Sequence, residues 1–151
     1  MENLTAMIET FEAKADLLSA SVIANWEMVK EEQPGNERLL HLAATAVEFA
    51  HIYRNAVKSS MSLGLYCDEG NSDGAASGLH EAYQAFDYVH TKTPNDRTKA
   101  ATDLAYQGLE AVRNRDVEKA SAIMRTFADI AIASRETLLD IEQERLALVT
   151  N

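Results

Sequence analysis

Apolar side chains return along this chain at alternating steps of three and four. The first series, Leu4, Ile8, Phe11, Ala15, Leu18, Val22, Trp26 and Val29, marks one face of an amphipathic helix predicted over residues 4–32. Gln33-Pro34-Gly35 stops it, because proline disfavours helical geometry in the residue before it, and Asn36 is a good N-cap for the next helix. That second helix, predicted over 37–66, carries two neighbouring stripes. One is Leu39, Ala43, Val47, Ala50, Val57 and Met61; the other is Leu42, Phe49, Ile52, Ala56 and Leu63. A helix with two stripes packs on several sides, so this one is expected at the centre of the fold.

Turn-forming and acidic residues gather from Cys67 to Gly74 and predict the longest loop, between Cys67 and Gly78. A third helix over 75–91 turns Leu79, Tyr83 and Phe86 inward. At Thr93-Pro94, Thr93 is the expected cap and Pro94 the first residue of a fourth helix over 94–113, whose Ala101, Ala105 and Gly108 are small enough for a close neighbour. Asp116 caps a fifth helix over 116–148, with Val117, Ala120, Met124, Phe127, Ala131, Ser134, Leu138, Ile141, Arg145 and Leu148 as a heptad stripe. The expected fold is all-α: an antiparallel up-and-down bundle of about five helices in one domain over 1–151. The short third and fourth helices would together fill the place of one long helix.

Composition agrees and narrows the function. A chain of 151 residues with 46% apolar and 25% charged side chains can bury a single core, and only two prolines and six glycines interrupt it. The net charge of −10, from 24 acidic against 14 basic residues, argues against nucleic acid and anionic lipid as partners; a basic protein surface is the complementary one. Cys67 stands alone, so no internal disulfide forms, and no run of 18 apolar residues is present to cross a bilayer. With no basic segment leading into an apolar run at the N-terminus, a cytoplasmic location is expected.

Candidate chemistry centres on the second helix. His51 shares what the pattern reads as a polar face with Glu48, Arg54, Asn55 and Lys58. An exposed histidine with cations three and seven residues on is suited to accept a phosphoryl group. The segment Ala50-His51-Ile52-Tyr53-Arg54-Asn55-Ala56 resembles the active helix of histidine phosphotransfer domains, which are helical bundles of similar size; that resemblance implies His51 as phosphoacceptor with Arg54 and Lys58 in support. Arg54-Asn55 stands where that family usually has lysine and glycine. A metal-binding bundle is the other alternative, because Glu48-x-x-His51 and Asp87-x-x-His90 have the carboxylate-imidazole spacing used by di-iron bundles. Glu69, Asn71, Asp73 and Gly74 come near an EF-hand spacing, but His80 holds the position that needs a bidentate acid. The charges Glu142, Glu144 and Arg145 read as solvated surface, and Trp26 as core.

Beyond these sites the chain has a surplus of apolar surface. Ile132, Leu139 and Leu146 form a second stripe on the fifth helix at heptad spacing, which calls for a partner. The reading that best covers the chain is a non-enzymatic interaction protein, an adaptor, chaperone or small inhibitor, presenting an acidic helical surface to another protein and needing no cofactor. A second copy of the chain, met through helix 116–148, is one such partner.

Overall fold

In a computed structural model, which describes the backbone of residues 2–150 and the side chains of 12–148, the described residues form five helices. These are α1 (Glu2–Glu32), α2 (Glu37–Glu69), α3 (Ser72–Lys92), α4 (Asp96–Arg113) and α5 (Val117–Thr150). The inward residues Leu4, Ile8 and Phe11 expected on α1 lie outside the described side chains. Among the described residues no helix is long and apolar enough to cross a membrane.

Local chemistry sets the boundaries. Asn36 caps α2 by accepting the Leu39 N–H at 3.2 Å. The expected loop from Cys67 to Gly78 does not form, because α2 continues to Glu69 and α3 starts at Ser72. Gly70, at φ 68°, makes the left-handed turn; its N–H reaches the Tyr66 carbonyl at 2.9 Å and the Asn71 N–H reaches that of Leu65 at 3.3 Å. Asn71 then accepts the Gly74 N–H and caps α3. Two consecutive capping residues replace the loop, and the near EF-hand spacing is drawn into helix ends.

The cap of α4 is Asn95, with Pro94 left outside the helix. The Asn95 side chain accepts the Thr98 N–H at 2.9 Å, and the Thr98 hydroxyl accepts the Asn95 N–H at 3.1 Å. Thr93 instead closes α3, donating its N–H to Val89. Asp116 accepts the Lys119 N–H at 3.1 Å at the start of α5, as its position predicts.

Cross-contacts fix the directions. Ser19 donates to the Ala50 carbonyl at 2.8 Å and Asp16 pairs with Arg54, so α1 runs antiparallel to α2. Arg38 pairs with Glu144 at one end of α2, and Ser60 donates to the Met124 carbonyl at the other, so α5 runs antiparallel along nearly its whole length. This α2–α5 pair is a spine with two cores. Val22, Trp26 and Val29 of α1 meet Leu39, Leu42 and Ala46 of α2 with Leu138 and Ile141 of α5. Farther along, Leu79 and Phe86 of α3 and Ala105, Leu109 and Val112 of α4 meet Leu63 of α2 with Ile123 and Phe127 of α5; Phe86 and Phe127 stack at 5.9 Å.

The α3–α4 hairpin therefore packs side by side chiefly on the C-terminal half of α2, while α1 runs along α2 from the Trp26 core as far as Val57 and Met61. The two short helices do not stand end to end in place of one long helix. Nothing in the periodicity of α3 or α4 states which half of α2 they choose. A Cβ on Gly78 would come 2.1 Å from the Ser62 hydroxyl and 3.1 Å from its Cβ, so the bare position lets α3 seat on α2 with the buried Ser62 where it stands. Gly108 of α4, by contrast, leaves ordinary contact distance to Ile123, Leu79 and Leu63, so close approach does not depend on it.

Candidate functional site

The supposed polar face of α2 is three different environments. Glu48 is buried, its side chain 3% exposed, and it accepts from Arg97 at 2.8 Å and from the Asn95 side chain. It clamps the N-terminus of α4 onto α2, where a carboxylate also faces the positive end of that helix. Asn55 is buried as well and donates to the His51 carbonyl at 2.8 Å. The polar pattern places Glu48 and Asn55 on a solvated face, and the structure buries both. The second apolar stripe continues round α2 because α3 and α4 cover that side, and only polar atoms with partners are tolerated there.

His51 is half-buried, and its pKa is held below the ordinary histidine value, first by desolvation and then by the Arg54 charge. Folding thus favours its neutral form more than the ordinary histidine does. The cations expected to flank it are engaged elsewhere: Arg54 with Asp16 on α1, Lys58 with Glu81 on α3. Lys58 holds the Glu81 carboxyl below its usual range by hydrogen bond and charge. For phosphoacceptor chemistry at His51, each cation would have to leave its present carboxylate to hydrogen-bond the added group.

The metal pairs are likewise taken apart. Glu48 faces Arg97; His90 Nδ1 lies 2.6 Å from the Thr98 hydroxyl; Asp87 is exposed. Among the described residues no group of three or more His, Cys, Asp or Glu side chains is arranged to hold a metal ion. Cys67 is partly covered, and burial, with Asp68 beside it, raises its thiol pKa.

Two features have stronger shape. On α5, Ile132, Leu139 and Leu146 are 60%, 49% and 54% exposed, a stripe at intervals of seven residues facing away from both cores. Between α1, α2 and α5 lies a cavity of about 450 Å³ lined by Lys14, Leu18, Tyr53, Val57, Met61 and Arg135. A smaller, almost wholly apolar one of about 280 Å³ sits where α4 meets the spine, against Phe49, Ile52, Ala101 and Ile130; Arg97 lies over the Phe49 ring at 5.1 Å.

Of the charges near the end of α5 that read as solvated, two are largely covered. Arg145 is held by Glu142 at 2.8 Å and lies 5.9 Å from the Trp26 ring centre, closing the α1 core with a cation over an aromatic face. Sequence reasoning passes over Asn95, Arg97, Lys14 and Arg135. The Asn95-x-x-Thr98 capping spacing is legible in the chain. Arg97 is 49 residues from the carboxylate it meets, with no local signal. No family model matches this chain, and no curated protein or solved structure matches it.

Proposed function

We propose that this chain is a non-catalytic interaction protein, an adaptor, chaperone or small inhibitor, whose outward face of α5 receives a helix of a partner protein. The observation that supports this reading is the exposure of Ile132, Leu139 and Leu146 at heptad spacing on a helix whose other stripe, from Ala120 to Ile141, is already packed into the two cores. Three large aliphatic side chains in one line are what a partner helix takes as knobs along a seam. The chain carries a net charge of −10, so a partner with basic flanks to its apolar seam is complementary, and a second copy of the chain is the simplest occupant to test.

Light scattering on the purified chain, followed by affinity capture with mass spectrometry, tests the reading. Leu139→Glu with Leu146→Glu should leave the helical content unchanged and abolish either self-association or the captured partner. If the double variant keeps the same mass and the same partners as the wild type, the α5 face has no such role. On this reading, incubation with a phosphorylated receiver protein leaves the chain unlabelled. Labelling lost in His51→Gln would favour phosphotransfer instead.

A further inference from the structure

We infer that the cavity between α1, α2 and α5 is a binding site for a small amphiphilic anion, a carboxylate on an aliphatic or aromatic body. Leu18, Val57, Met61 and the ring of Tyr53 provide an apolar floor, while Lys14 and Arg135 bring a cation each from α1 and α5. Among the described residues no acid lines the cavity, although acids outnumber bases in the chain by 24 to 14. Elsewhere the structure pairs cations across helices: Arg38 with Glu144, Arg54 with Asp16, Lys58 with Glu81, Arg97 with Glu48. Lys14 and Arg135 face this concavity without an ion pair to any described residue. The volume, about 450 Å³, falls in the range of small-molecule sites.

An apolar body buried on the floor gives affinity through area removed from water, and a carboxylate reaching the two cations gives orientation and sign selectivity. The neighbouring apolar cavity at the α4 junction lacks this arrangement, because the cation beside it, Arg97, is already neutralised by Glu48. Arg135 stands one turn from Ile132 and from Leu139, so the site borders the α5 stripe, while its apolar floor comes from α1 and α2.

Calorimetric titration of the full chain with decanoate is the test, with decanol as the neutral control. Saturable binding of one decanoate is expected, with decanol at least about tenfold weaker. Lys14→Gln with Arg135→Gln, both at exposed positions, should keep the circular dichroism of the wild type and weaken decanoate about tenfold while leaving decanol unchanged. Leu139→Gln with Leu146→Gln, which add no charge one turn from Arg135, should bind decanoate as the wild type does, which separates this site from the partner face. Absence of saturable binding, or equal binding of decanoate and decanol, or no effect of the paired glutamines, would overturn the assignment.

Discussion

At the scale of single residues, position in the packing outweighs residue type. Gly78 and Gly108 are both glycines inside helices, where glycine costs roughly 0.5–1 kcal/mol relative to alanine. Gly78→Ala should nonetheless destabilise the chain by about 1–3 kcal/mol, since the new methyl meets the buried Ser62, whose hydroxyl must turn away or α3 shift off α2. Gly108→Ala should be neutral or stabilising by up to about 1 kcal/mol, because its methyl finds ordinary contact distances. Urea midpoints of the two variants check the contrast, and a loss at Gly108 equal to that at Gly78 would contradict it. His51 gives a pH prediction. Its pKa is lowered on folding, so between the folded value and the ordinary 6.5 the unfolded chain holds more protons, and stability falls as pH drops through 6.5. His51→Gln should show a smaller fall in urea midpoint between pH 7.5 and 5.5 than the wild type.

At the scale of elements, five helices and most of their ends follow from periodicity and capping residues. Asn36 and Asp116 cap as their positions predict, because a cap needs only a side-chain oxygen and the two or three N–H groups after it. The Cys67–Gly78 region fails as a loop for a related reason. Gly70 and Asn71 suffice to end one helix and start another, and Asp73 after them is compatible with a first helical turn. The junction between α4 and α5 carries a testable strain. Arg115 sits at φ 56°, a left-handed conformation that costs a residue with a Cβ about 1 kcal/mol. Arg115→Gly should therefore raise the thermal midpoint, by an amount equivalent to about 0.5–1 kcal/mol. An unchanged or lower midpoint would mean that the Arg115 side chain compensates.

At the scale of the whole molecule, α2 and α5 pass through both cores, so neither core can come apart without fraying the spine. Unfolding should be a single transition. Trp26, fully buried in the α1 core, reports on one half by fluorescence, while helical circular dichroism reports on both. Their urea midpoints are expected to coincide; a lower midpoint for Trp26 would show α1 leaving first. The sequence by itself determined an all-α chain, five amphipathic helices, their approximate ends, a central α2 and a surplus apolar stripe on α5. Each of these depends on residues within a few turns of one another. Only the tertiary structure decided that α3 and α4 form a hairpin on one half of α2. The same holds for Glu48, buried against Arg97, for Arg54 and Lys58, paired with Asp16 and Glu81, and for Lys14 and Arg135, brought to one cavity. Those outcomes join residues tens of positions apart, and such pairings are chosen by the shape and charge of neighbouring helices, which a helical period does not encode.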